Sequence, residues 1–120
     1  MAGTRRHERI TIVADVRLVA DGATADRLPV HDISMGGMFL RADLAAMERY
    51  TVGKLCDLTV FPAEEAPLHR EGGSTVHAQA RVVRRDEGQH GHPQGLGLAF
   101  ESIDEENLDR LRSLVRRSLD

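Results

Sequence analysis

Ile10-Thr11-Ile12-Val13-Ala14-Asp15-Val16-Arg17-Leu18 carries the chain's clearest structural pattern. Its even positions, Ile10, Ile12, Ala14, Val16 and Leu18, are apolar, while Thr11, Asp15 and Arg17 between them are polar. A period of two is the pattern of a strand with one face buried. The alternation returns from Lys54 to Phe61, where Pro62 ends it, at Val76, Ala78, Ala80 and Val82, and at Leu96, Leu98 and Phe100. Leu28, Val30 and Ile33 make a shorter strand, Gly36-Gly37 breaks it, and Met38-Phe39-Leu40 resumes extended structure. Asp21-Gly22 reads as a turn, Leu44 to Tyr50 as a brief helical turn, and residues 62–74, with two prolines and Gly72-Gly73, as a mobile loop. A polar stretch from Arg85 to Gln94 reads as another loop.

After the last strand the period changes. Leu108, Leu111, Val115 and Leu119 follow helical spacing, and Ser102 with Glu105 forms the pattern of a capping box. Asp104, Glu105 and Glu106 open this segment and Arg110, Arg112, Arg116 and Arg117 lie toward its end, an order that suits the helix dipole. About six short strands and one terminal helix predict a mainly β fold, a small six-stranded antiparallel β-barrel with a C-terminal α-helix. The 120 residues are read as one domain, with an Arg-rich segment at 1–9, the barrel at 10–101 and the helix at 103–118.

Composition narrows the function. The net charge of −3 provides no overall basic field to gather a polyanion, and three Phe, one Tyr and no Trp offer few platforms for stacking a single-stranded nucleic acid. DNA and RNA are therefore not expected partners. Cys56 is the single cysteine, so no intramolecular disulfide forms; its place beside Leu58 and Val60 predicts a buried small hydrophobe. There is no signal-peptide pattern and no apolar run of membrane-spanning length, and the expected location is cytoplasmic, without membrane insertion.

Two runs carry chemistry. Arg5-Arg6-His7-Glu8-Arg9 places Arg5 and Arg9 four positions apart, with Arg6 between them. Guanidinium forks bind phosphates and the O6/N7 edge of guanine. Asp32-Ile33-Ser34-Met35-Gly36-Gly37 supplies a carboxylate, a hydroxyl and two glycines. An ionised carboxylate accepts from paired N–H donors such as guanine N1–H and N2–H₂, a hydroxyl reaches phosphate oxygens, and glycine lets backbone approach a ligand. Taken singly, the first run reads as a solvated basic tail and the second as an Asx- or ST-turn. Together they describe a pocket for an anionic, guanine-bearing small molecule.

The spacing resembles that of the PilZ domain family, bacterial receptors for cyclic di-GMP. Arg5-xxx-Arg9 matches the family's RxxxR, and after 22 residues Asp32-x-Ser34-xx-Gly37 matches [DN]xSxxG. Ala78-Gln79-Ala80-Arg81-Val82-Val83-Arg84 is similar to the family's late strand and Gly95-Leu96-Gly97-Leu98-Ala99-Phe100 to its Gly-x-Gly-x-x-Phe strand. The resemblance implies the same barrel, no enzymatic activity, no cofactor, and cyclic di-GMP as ligand. Arg5, Arg6, Arg9, Asp32, Ser34, Gly36 and Gly37 would bind it and a protein partner would receive the signal. It also implies that the Arg segment orders on binding. Many relatives carry a further arginine where this chain has Thr4, which leans toward a single bound molecule. The alternative is a ligand-independent PilZ-like module docking on a motility or polysaccharide-export complex. His7 and His31 read as solvated neighbours of the motifs, Met35 and Met38 as packing, and His90-Gly91-His92 as a polar loop lacking companions for a metal.

Overall fold

The computed structural model describes residues 10–20, 25–62 and 75–119. The strands are β1 (Ala14–Ala20), β2 (Asp26–Ile33), β3 (Gly37–Arg41), β4 (Leu55–Pro62), β5 (Val76–Glu87) and β6 (Gln94–Ser102). They close into an antiparallel barrel in the order β1-β2-β3-β6-β5-β4. The closing seam is β1 against β4, seven consecutive pairs from Ala14↔Pro62 to Ala20↔Cys56 with no irregularity. The alternation of the sequence is the alternation of the wall: Ala14, Val16, Leu18 and Ala20 from β1 meet Cys56, Leu58 and Val60 from β4 in the interior. Ile10 and Ile12 continue the same buried face ahead of β1.

A helix stands at each mouth of the barrel. Helix α1 (Leu44–Arg49) links the end of β3 to the start of β4, and Asp43 caps it by accepting from the Ala46 N–H at 2.9 Å. Its Ala46 and Met47, with Tyr50 just beyond, join the core. Tyr50 fastens this end: its hydroxyl lies 2.5 Å from Asp26 Oδ2 and 3.0 Å from the Leu18 carbonyl, and Arg49 binds the same carboxylate at 2.6 Å and 3.1 Å. Helix α2 (Glu105–Leu119) covers the other mouth with Leu111, Leu114 and Val115. Asn107, also buried, accepts from the His77 N–H at 2.8 Å and so satisfies the edge of β5 where β6 has ended.

Three expectations change in detail. Ser102 belongs to β6 and does not cap the helix; Asp104 does, accepting from the Asn107 N–H at 2.8 Å. The loop expected from Arg85 to Gln94 is shorter, 88–93, because Arg85↔Leu96, Asp86↔Gly95 and Glu87↔Gln94 extend the β5–β6 ladder despite their polarity. Helix α2 runs from Glu105 to Leu119, slightly later than 103–118. The Asp21-Gly22 turn and the expected loop, apart from Pro62, lie outside the described residues. No helix among the described residues is long and apolar enough to cross a membrane.

Candidate ligand-binding site

The second motif sits where β2 turns into β3, at the mouth covered by α2. Ser34 closes the turn: its N–H donates to the Gly37 carbonyl at 2.8 Å, and its hydroxyl accepts from the Gly36 N–H at 3.1 Å. The same hydroxyl lies 3.4 Å from the Gly37 carbonyl, and the residue is only 1% exposed. The Gly36 carbonyl accepts from the Phe100 N–H at 2.9 Å, tying the turn to β6. Gly37 is required by close approach: a Cβ there would lie 2.1 Å from the Leu98 carbonyl oxygen. The hydroxyl and the second glycine therefore shape the turn, in the manner of an ST-turn, and the Ser34 hydroxyl faces inward.

Asp32 faces outward because β2 carries a bulge. Val30 pairs with Leu40 and Asp32 with Phe39, so His31 is the extra residue. Val30 and Ile33 both remain in the core, and His31 and Asp32 both emerge on the outer surface. His31 is accordingly no solvated bystander. Its Nδ1 lies 2.9 Å from Asp32 Oδ2, and its ring packs edge-on against Phe39 with centroids 6.0 Å apart.

Register extends the site across four strands. Asp32 is opposite Phe39, Phe39 opposite Gly97, and Gly97 opposite Arg84, one row over β2, β3, β6 and β5. Phe39 points away from the barrel interior yet is only 2% exposed. Its ring lies on the flat bed of the glycine strand, where a Cβ on Gly95 would come within 3.0 Å of it and one on Gly97 within 3.7 Å. Arg84 covers it from above, with its guanidinium carbon 5.0 Å from the ring centroid. A second bulge ends the row: Val82 pairs with Leu98 and Arg84 with Gly97, leaving Val83 as the extra, exposed residue. The sequence reading gave Phe39, His31 and Arg84 no place in the site. The available signal was the step from Val30 to Ile33, three positions where two were due, and an aromatic residue facing a Gly-x-Gly strand.

Arg5, Arg6 and Arg9 lie outside the described residues, as does the expected ordering of their segment. The chain that follows them is described. Ile10, next to Arg9 in sequence, forms a bridge with Ile33: the Ile10 N–H donates to the Ile33 carbonyl and the Ile33 N–H to the Ile10 carbonyl, both at 2.9 Å. Ile33 stands between Asp32 and Ser34, so the residue that follows the first motif is stitched to the middle of the second. Among the described residues no group of His, Cys, Asp and Glu could hold a metal ion.

A model of the PilZ domain matches residues 3–117. The chain belongs to the PilZ domain family. Solved structures share its fold. The PilZ domain of YcgR from Escherichia coli, determined with c-di-GMP, is 15% identical with a TM-score of 0.68, over 97% of this chain and 92% of that one. MotI/DgrA of Bacillus subtilis, an inhibitor of motility, is 19% identical with a TM-score of 0.71, over 97% of this chain and 51% of that one. MrkH of K. pneumoniae, determined as its c-di-GMP complex, is 14% identical with a TM-score of 0.71, over 96% and 51%. This PilZ domain thus spans about half the length of MotI and MrkH. No curated protein matches it by sequence.

Proposed function

We propose that this PilZ domain is a receptor for cyclic di-GMP that passes the signal to a partner protein. The observation that carries the reading is the Ile10–Ile33 bridge, which brings the chain leaving Arg9 onto the strand that presents Asp32. In this reading the two motifs, separated by 22 residues in sequence, share one surface. Solved relatives of the same fold, YcgR and MrkH, were determined with this ligand, and both motifs of the family stand here unbroken.

In this reading Arg5, Arg6 and Arg9 bind the phosphates and the O6/N7 edge of guanine, since planar forks give two bonds at once. Asp32, oriented by His31, accepts from guanine N1–H and N2–H₂. Gly36 and Gly37 keep the turn thin enough for a ligand to approach its backbone. Ser34 holds that turn, and it donates to phosphate only by turning its O–H away from the Gly37 carbonyl, while it keeps the bond accepted from the Gly36 N–H. The domain needs no catalytic group for this role and acts by binding alone.

Calorimetric titration with cyclic di-GMP tests the proposal. Saturable binding at a single molecule per chain is expected, with much weaker binding of cyclic di-AMP, whose adenine presents an N6 donor where guanine presents the O6 acceptor. Equal affinity for the two dinucleotides would overturn the guanine-directed assignment. Absence of binding to either would leave the ligand-independent docking module as the surviving account.

A further inference from the structure

We propose that Arg84 is an additional ligand contact, its guanidinium plane forming a stacking surface for one purine of the bound dinucleotide, with Phe39 as the residue that positions it. The inference rests on the receptor reading above and deepens it. Arg84 belongs to neither motif. It stands at the far end of the outer row from Asp32, three strand spacings away, a span of roughly 14 Å at the usual separation of strands. Its side chain does not project straight out. It reaches back over Gly97 until the guanidinium stands 5.0 Å from the centre of Phe39, the register partner of Asp32. The cation and the carboxylate thus flank one aromatic ring, which His31, bonded to Asp32, touches at its edge.

Three observations argue that this arrangement serves a ligand. No carboxylate among the described residues forms a salt bridge with Arg84, in contrast to Arg81, which is bound to Glu101 at 2.6 Å. The charge is held instead over an aromatic face. One side of the guanidinium plane is occupied by Phe39; the residue itself is exposed, so the other side is open to a base. Arginine stacks through both faces, which a compact ammonium cannot do. Finally, the bulge at Val83 sets the residue up: it lets Arg84 face outward opposite Gly97 while Val82 stays in the core. Bulges are enriched beside functional sites because they re-aim a side chain in this way.

The test is a titration of cyclic di-GMP into the wild-type protein, Arg84→Ala, Arg84→Lys, Phe39→Leu and the double variant, each with a thermal unfolding curve. Arg84→Ala should bind about tenfold or more weakly, the scale of one lost stacking contact. Its unfolding midpoint should hardly move, since an exposed side chain is removed. Arg84→Lys should stay near the alanine variant, because it restores charge without a plane. If Phe39 acts through Arg84, Phe39→Leu weakens binding in the wild-type background and adds little in the Arg84→Ala background. Wild-type affinity in Arg84→Ala would overturn the inference and leave the receptor reading intact, and full recovery in Arg84→Lys would overturn the stacking role. Additive losses in the double variant would remove Phe39 from it. If the wild-type protein itself did not bind, the receptor reading would fail and this inference with it.

Discussion

The barrel has two kinds of wall. Between β1 and β4 seven pairs follow one another in strict register, and every side chain alternates in and out. Across β2, β3, β6 and β5 the ladder slips at both ends of one row, at His31 and again at Val83. The interiors are nevertheless alike: Val16 and Leu18 behind the first wall and Ile33 and Val82 behind the second are all fully buried. A bulge adds one residue to the outer surface and hands the next residue back to the interior in phase. The second wall gains an outward side chain at each end of the row without inverting its core face, and that gain is what brings Asp32 and Arg84 to the same surface.

Single-residue deletions should separate the two walls most sharply. Removing Arg17 from the regular wall shifts Leu18 and Val19 by one position and turns the rest of β1 inside out. Loss of cooperative unfolding is expected, as from Val16→Asp or Val82→Asp, which bury an unpaired charge. Removing Val83 should be tolerated, because Val82 and Arg84 keep their partners Leu98 and Gly97 once the extra residue is gone. Urea unfolding followed by circular dichroism distinguishes the cases. An unfolded Val83 deletion would show that the bulge supports the core and is no mere insertion.

Gly37→Ala comes next. The new methyl would press on the Leu98 carbonyl where β3 meets β6, and overpacking of this kind costs roughly 1–3 kcal/mol. The same change at Gly53, where a Cβ would meet nothing within 4 Å, is strained only by its φ of +98° and should cost less, about 1 kcal/mol. A Gly37→Ala variant as stable as Gly53→Ala in urea titrations would show that the two strands can part, and that the turn geometry does not depend on this glycine.

The fold was legible from Ile10–Leu18, from the other alternating runs and from the switch of period after Ser102, because each of these repeats one physical rule several times. The two motifs were legible because their residue types are scarce together. What could not be read was which outer-face residues the closing barrel would assemble. The row joining Asp32, Phe39, Gly97 and Arg84 depends on register between strands far apart in sequence, and alternation within one strand does not set that register. The polarity of Arg85, Asp86 and Glu87 likewise concealed strand, since a ladder satisfies backbone groups whatever the side chains are.

On the outer surface the two walls should differ in binding and agree in stability. Asp32→Ala should weaken cyclic di-GMP binding by roughly 1.5–3 kcal/mol, the worth of charge-assisted hydrogen bonds. Arg17→Ala, outward on the regular wall, should leave affinity unchanged. Both proteins should melt close to the wild type in the absence of ligand. Titration calorimetry with paired melting curves checks this. A loss of affinity in Arg17→Ala as large as that in Asp32→Ala would mean that general charge, and no defined site, governs binding.

A pH-dependent effect is expected where the regular wall is fastened near α1. Burial, reinforced by the neighbouring Asp26 carboxylate, raises the Tyr50 hydroxyl above its ordinary value of 10.0. The hydrogen bond from Arg49 lowers Asp26 below 3.8. The two signs are opposite. Asp26 contributes stability that is present above about pH 4 and fades as pH falls through its folded value. Tyr50, whose folded value is raised, contributes stability that is present below pH 10 and fades as pH rises beyond it, because the unfolded chain then sheds a proton that the folded one keeps. Replacing Tyr50 by Phe removes the hydroxyl and leaves Leu18 O and Asp26 each short of a donor, at about 1–3 kcal/mol. Urea midpoints measured across pH should therefore show a wild-type decline above pH 10 that is shallower in Tyr50→Phe, while both proteins keep the acid decline that Asp26 and Arg49 still produce. An alkaline decline of equal steepness in the variant would place its origin elsewhere and deny Tyr50 its part in holding β1 to the mouth of the barrel.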